Sequence, residues 1–240
     1  MKVSGLIIGS ILVGMLLGCS SGIDGALAKI PSKPLDPSDG IGLAIVYDTS
    51  GSMADSVNDA DGHMAPKYEI ANRAFMATVE QIRKYVEGAP AGSKKVLVSV
   101  VTFDGNGGVV AQINPEPFDA DRLIQWLKNF PGCGGSTPLG DAIRLANQQL
   151  IYGNMSKKHV IVLTDGGSNS GSTPDSVVTD IRANKDEGDV SLYFIAFDVS
   201  SSLFSGVKNQ GVAISEASDG AQLNTELNNI VTTKILLEQE

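Results

Sequence analysis

The chain has 240 residues, with 18 Lys and Arg against 27 Asp and Glu, a formal charge of −9. Apolar residues make up 42% and charged residues 19%, proportions of a globular chain rather than a disordered or collagen-like one. The acidic balance argues against nucleic-acid binding, which needs clustered Lys and Arg, and two cysteines are too few for a disulfide framework.

Met1 and Lys2 precede an apolar run from Val3 to Gly18. The run is short for a membrane-spanning helix, which needs about 20 residues. A charged start and a short apolar core read as a secretory signal over residues 1–18. Leu16-Leu17-Gly18-Cys19 resembles a bacterial lipobox, in which cleavage precedes the cysteine and its sulfur is acylated. Cleavage there removes one Lys and no acid, so the mature charge is −10, and Cys133 is left without an internal disulfide partner. Residues 19–40 are rich in Ser, Pro and Gly and read as a lipid-anchored, semi-extended tether. Ser20 stands where, in the sorting pattern this resembles, an Asp would retain the protein at the inner membrane. The expectation is an envelope protein attached to membrane through Cys19, on the outer membrane if the organism has one.

The domain then fills residues 41–240. Ile41 to Tyr47, Val96 to Val101, Val160 to Leu163 and Val190 to Phe197 are apolar runs too short for helices. Such runs predict parallel strands covered on both faces. The segment Ala54 to Pro66 carries Asp55, Asp59, Asp61 and His63 and reads as a solvated acidic loop; Val57 and Tyr68 stand where a calcium loop needs ligands. Ala71, Phe75, Val79, Ile82 and Val86 recur at helical spacing. Asp104 to Gly108 is a turn, giving one antiparallel strand, Val109 to Ile113. Further helices follow around Leu123, Leu127 and Phe130, with Trp126 and Phe130 in the core, then around Leu139, Ile143, Ala146 and Leu150. The last spans Ala221 to Leu237. The fold class is α/β: a doubly wound, mostly parallel sheet with one antiparallel edge strand and helices on both faces.

In open α/β sheets, ligands sit beyond the carboxyl ends of strands, where strand order reverses. The first strand ends in Asp48-Thr49-Ser50-Gly51-Ser52-Met53, and a later one in Thr164-Asp165-Gly166-Gly167. A third loop, Gly134-Gly135-Ser136-Thr137-Pro138-Leu139, opens a helix. Asp48 and Asp165 supply two charges; Ser50, Ser52 and Thr137 supply three hydroxyl oxygens. No Cys or His stands near at zinc spacing, and an all-oxygen set suits a hard cation. Alternation along an extended loop turns Asp48, Ser50 and Ser52 to one side, with Gly51 permitting the bend. Two carboxylates only just neutralise a divalent ion, so the site can accept a third from outside. Each hydroxyl could singly cap a loop or helix, but their joint order favours a metal site.

Asp-x-Ser-x-Ser, a Thr before Pro-Leu, and Thr-Asp-Gly together resemble the von Willebrand factor type A domain. The metal-ion-dependent adhesion site of that family uses five positions in this order, and all five match: Asp48, Ser50, Ser52, Thr137 and Asp165. The resemblance covers residues 41–240. It implies a Rossmann-like fold and Mg2+ as the cofactor, with Mn2+ or Ca2+ as alternatives. It also implies a protein partner whose Glu or Asp completes the coordination, and no catalysis.

Other classes leave weaker traces. Asp48-Thr49-Ser50 resembles the nucleophile loop of haloacid dehalogenase-type phosphatases, but Ser50 replaces their second Asp and no Lys is evident as a phosphate clamp. His63 and His159 have no nucleophile at a recognisable spacing. Cys133, a soft donor near a hard site, reads as a small apolar plug beneath the Thr137 loop or, as the alternative, an exposed thiol able to cross-link a partner. The alternatives to cation-dependent binding are an envelope scaffold that needs no metal and, behind it, a metal-dependent hydrolase.

Overall fold

Every residue from Gly40 to Tyr47 is buried, as a strand covered on both faces requires. The computed structural model describes residues 34–239 apart from 89, 91–94, 104, 105, 107, 131 and 185–188. The signal, Cys19 and the tether as far as residue 33 lie outside the described residues. Its strands and helices run β1 (Ser38–Tyr47), β2 (Ser56–Asn58), β3 (Met64–Pro66), α1 (Lys67–Glu87), β4 (Val96–Phe103), β5 (Val109–Pro117), α2 (Ala120–Lys128) and α3 (Leu139–Gly153). They continue with β6 (Met155–Thr164), α4 (Pro174–Ala183), β7 (Val190–Phe197), α5 (Ser205–Lys208), β8 (Ala213–Ala217) and α6 (Gly220–Asn229).

The main sheet has six strands in the order β5-β4-β1-β6-β7-β8. All pairings are parallel except β4 with β5, which is the antiparallel edge. This is the predicted doubly wound architecture. Alternation along β1 divides the core. Ile41, Leu43, Ile45 and Tyr47 pack with residues of α1, α2 and α6. Ala44 and Val46 pack on the other face with residues of α3 and α4. Tyr47 anchors the first face: its ring centroid lies 5.5 Å from Phe75, 5.8 Å from Trp126 and 5.5 Å from Phe130. Trp126 and Phe130 are thus core-packed, as predicted. No helix of the described residues is long and apolar enough to cross a membrane.

The chain winds from β1 outward to β4 and β5, then crosses back to β6 on the opposite side of β1. Strand order therefore reverses between β1 and β6. Their register pairs Tyr47 with Leu163, and the amide of Asp48 donates to the Leu163 carbonyl at 3.0 Å. The two loops that carry Asp48 and Asp165 consequently leave the sheet side by side at the crevice.

Several elements differ from the sequence expectation. The 54–66 segment faces solvent as expected but is not an irregular loop: β2 and β3 pair antiparallel around a turn in which Gly62 has φ +82°. Buried Val57 fixes this hairpin to the core, and Asp59 is ion-paired with Arg73 of α1, while Asp55, Asp61 and His63 are exposed. Helix α4 and strand β8 have too few apolar residues for periodicity to find. Helix α4 is nonetheless marked by Thr173, whose side chain accepts from the Ser176 amide, and by Pro174 in its first turn. The last helix is regular only over α6; Ile230–Ile235 continue as a π-helical segment and Leu236–Gln239 as a 3-10 turn. Both widen or tighten the pitch so that Ile230, Val231, Ile235 and Leu236 all stay buried.

Candidate metal centre

The site grows out of the β1 loop. Asp48 is fully buried, and its two oxygens are held from opposite directions. Oδ1 accepts from the Ser50 amide at 2.8 Å, and Oδ2 from the Thr164 hydroxyl at 2.6 Å. Thr49 points the other way: its hydroxyl donates to the Phe103 carbonyl at 3.0 Å and accepts from the Phe103 amide at 2.9 Å, locking the loop to β4. The expected alternation of Asp48 and Ser50 against Thr49 is present. Gly51 opens a 3-10 turn, Gly51–Ala54, without a left-handed φ, so the bend is helical rather than a glycine-specific turn.

That 3-10 turn brings Ser52 back beside Ser50, with the two hydroxyl oxygens 3.2 Å apart. Ser52 also donates to Oδ1 of Asp165 at 2.8 Å. Four of the five predicted positions thus form one linked set across the β1–β6 crevice. The loop that carries Thr137 is docked onto the β1 loop through backbone bonds of Gly134 and Gly135. The Gly134 amide donates to the Thr49 carbonyl at 2.9 Å, and the Gly51 amide to the Gly135 carbonyl at 3.3 Å. The Thr137 amide donates to Asn169 Oδ1 at 2.7 Å. Gly140 lets α3 sit close behind: a Cβ there would lie 2.1 Å from the Ser172 carbonyl oxygen.

Two residues that sequence reasoning missed complete the surroundings. Lys67, the first residue of α1, is buried, and its Nζ lies 3.0 Å from Asp165 Oδ2 and 3.0 Å from Asp198 Oδ2. Burial pulls the lysine pKa down, but the hydrogen bonds it donates to the two carboxylates, with their charge, outweigh it and the net shift is upward. Asp198 follows β7 just as Asp48 follows β1 and Asp165 follows β6. The signals were present: a lysine in the first turn of a helix opposes the helix dipole, and Asp198 ends an apolar strand run.

Burial pushes the Asp48 carboxyl up to about 6, against the lowering effect of the Ser50 and Thr164 hydrogen bonds, with Asp165 adding repulsion. A buried carboxylate of this kind is stabilised by an added positive charge. The donor set is all oxygen: two carboxylates and the hydroxyls of Ser50, Ser52 and Thr137. Among the described residues no three His, Cys, Asp or Glu side chains gather at a metal distance, so a cation here depends on the hydroxyls. Such a set fits a hard divalent ion and does not fit zinc. His159 lies within β6, buried and stacked on Tyr193 at 6.1 Å.

A family model for the von Willebrand factor type A domain matches residues 43–235. The chain belongs to that family. Among solved structures, the PilB minor pilin from Streptococcus sanguinis aligns with TM-score 0.62 and 15% identity, over 87% of this chain and 63% of the pilin. A von Willebrand factor type A protein from Catenulispora acidiphila aligns at TM-score 0.58 and 18% identity, over 80% of this chain and 42% of its own. The vWF domain of the type V pilus tip protein Mfa5 from Porphyromonas gingivalis aligns at TM-score 0.58 and 11% identity, over 82% and 96%. At these identities the likeness is one of fold, and this chain spans less than two thirds of the first two relatives. No curated protein matches the sequence.

Two predictions follow from the buried groups. In the metal-free type A domain, the Asp48 folded pKa near 6 lies above the unfolded value of 3.8. Its contribution to stability is therefore present below pH 4 and lost as pH rises through 6, a change of about 3 kcal/mol at most. Asp48→Asn should remove this dependence and make the chelated protein more stable than wild type at pH 7, as read by urea unfolding at both pH values. Cys133 is half-buried against the aromatic face of the core, and burial, then Asp48 and Asp165, push its thiol up to about 12. Relative to an ordinary thiol near 9, thiolate is depleted about a thousandfold. A thiol-reactive probe should label the native protein slowly and the urea-unfolded protein fast; equal rates would remove the plug reading.

Proposed function

We propose that this chain is a lipid-anchored envelope protein whose type A domain binds a protein partner through a divalent cation. The observation that carries the reading is the linked set Asp48, Ser50, Ser52 and Asp165 at the strand-order reversal, with the Thr137 loop docked onto it. Ser50, Ser52 and Thr137 would hold the cation directly, and Asp48 and Asp165 directly or through waters, as in a metal-ion-dependent adhesion site. Mg2+ is the first candidate, with Mn2+ or Ca2+ as alternatives. The bound ion would supply an electrophilic position that a Glu or Asp side chain of the partner completes.

Two structural neighbours, a minor pilin and a pilus tip protein, support binding between proteins at a cell surface. A catalytic role gains less support. Lys67 supplies a lysine beside the loop, yet it is paired with Asp165 and Asp198, and Ser50 still stands where a phosphatase needs its general acid. The lipobox-like Leu16 to Cys19 supports an anchor on Cys19, and Ser20 supports export beyond an inner membrane.

Affinity capture from envelope extracts, with and without EDTA, separates cation-dependent binding from a metal-independent scaffold. Binding should be lost with EDTA and restored by Mg2+. Asp48→Ala should lower it at least tenfold with circular dichroism unchanged, and Thr137→Ala, which removes a neutral oxygen, should lower it less. Capture indifferent to EDTA and to Asp48→Ala favours the scaffold. Separately, Cys19→Ser should leave a larger precursor that no longer partitions into detergent. A correctly trimmed mutant in the detergent phase would defeat the anchor.

A further inference from the structure

Asp165 divides its two oxygens between a hydroxyl and a cation already built into the chain. Oδ1 takes the Ser52 hydroxyl at 2.8 Å, and Oδ2 takes the Lys67 ammonium at 3.0 Å. The lysine is not there by default. Its side chain is 8% exposed, so an ammonium has been taken out of water, and it sits at the positive end of the α1 dipole. Its position is fixed from behind, since the Lys67 amide donates to the Asp55 carbonyl at 2.9 Å.

Asp198 shows the same placement from the other side. It is one of two non-glycine residues with positive φ among the described residues, at +58°. Its amide donates to the Ala217 carbonyl of β8 at 2.7 Å, and its Oδ2 lies 3.0 Å from Lys67. An aspartate tolerates this left-handed conformation at some cost, and here the conformation holds the carboxylate at the ammonium. The Asp165 side chain is fully buried whereas that of Asp198 is 42% exposed. Lys67 therefore has an inner partner that belongs to the metal centre and an outer partner that does not.

We propose that Lys67 is a tethered positive charge that competes with the divalent cation for Asp165 and so sets how tightly the centre holds its metal. This rests on the cation reading of the same centre. Asp48, Asp165 and Asp198 contribute three negative charges and Lys67 one positive, so a divalent ion brings the cluster to neutrality. With Lys67 neutralised by substitution, one negative charge is left over and the ion is held more strongly. Asp198 gives the ammonium a partner to keep when Asp165 turns to the ion. A partner carboxylate would meet a neutral cluster rather than a negative one, so a bound cation raises the partner's affinity and, by reciprocity, the partner raises the cation's.

The test is calorimetric titration of Mn2+ alone into the metal-free protein. Lys67→Gln, which keeps a hydrogen-bonding head without the charge, should bind Mn2+ at least tenfold tighter than wild type. Lys67→Arg, which keeps the charge, should stay within about threefold of wild type. Equal or weaker binding by Lys67→Gln, with wild type binding normally, overturns the proposal and leaves the cation reading standing. No binding by wild type, Lys67→Gln or Lys67→Arg overturns both. Should Lys67→Gln unfold in chelator, Mn2+ must restore its circular dichroism spectrum; a chain that Mn2+ cannot refold overturns the proposal.

Discussion

Two carboxylates held out of water at adjacent strand ends are the constraint to which the surrounding structure answers. Asp48 and Asp165 sit where β1 and β6 leave the sheet, and both are almost wholly buried. An unpaired buried carboxylate is too unfavourable to persist ionised, so each oxygen must be satisfied or the group must protonate. The chain uses local donors for Asp48, a backbone amide two residues on and the Thr164 hydroxyl of the neighbouring strand. It uses distant donors for Asp165, the Ser52 hydroxyl and the Lys67 ammonium. The difference has a chemical result: Asp48 keeps a raised affinity for a proton, while Asp165 is engaged with a charge from α1. A divalent ion would relieve the first and contest the second.

Much of this was legible in the sequence because its signals are local. Continuous apolar runs marked the parallel strands, since a strand covered on both faces has no polar side to show. Asp-x-Ser-x-Ser marked the first loop, because alternation about Thr49 puts Asp48 and Ser50 on one side whatever the rest of the chain does. What was not legible depends on distant register. Lys67 lies 98 residues from Asp165, and nothing in Pro66-Lys67-Tyr68 announces a carboxylate partner except a charge of the wrong sign for a helix start. Asp198 carried a readable sign, a carboxylate closing an apolar run as at Asp48 and Asp165, but its left-handed backbone required β8 beside it. Strand β8 was itself hidden, because Ala213–Ala217 holds one large apolar residue, Ile214, among small and polar ones at a sheet edge. The 54–66 segment misled only as to its regularity: its acidic residues rightly suggested solvent, while the single buried Val57 was enough to fold it back as a hairpin.

The centre is unevenly constrained. Asp48 and Asp165 are placed by the β1–β6 register, and Thr49 ties the first loop to β4 through both backbone atoms of Phe103. The Thr137 loop is held through backbone bonds to Thr49 and Gly51 and through Asn169, while the Gly140 contact with Ser172 fixes the start of α3 against the 168–173 segment. The donors are therefore carried by sheet ends and clamped loops. Between the first loop and α1 lies the β2–β3 hairpin, two short strands that would be marginal alone. It leads directly into Lys67, and the Asp55 carbonyl before it holds the Lys67 amide.

That arrangement separates chemistry from selectivity. The oxygen donors are fixed by the sheet and would serve any hard cation alike, so they cannot by themselves distinguish one carboxylate-bearing partner from another. On the proposed reading, features that would distinguish partners lie outside the donor set. Met64 is 63% exposed on the hairpin, and Leu203 is 54% exposed while packing over Gly167, two residues beyond Asp165. An exposed apolar side chain beside a charged centre, as Leu203 is, does two things when covered: it buries area, and it excludes water from the carboxylates beneath, which strengthens every charge interaction inside. A partner that offers only a carboxylate gains the second effect poorly, and one that offers only an apolar patch leaves the buried charges unmet. On the proposed reading, selectivity would come from requiring both on one surface, with Leu203 offering the apolar part and the Asp55 carbonyl, just before the hairpin, holding the amide of Lys67.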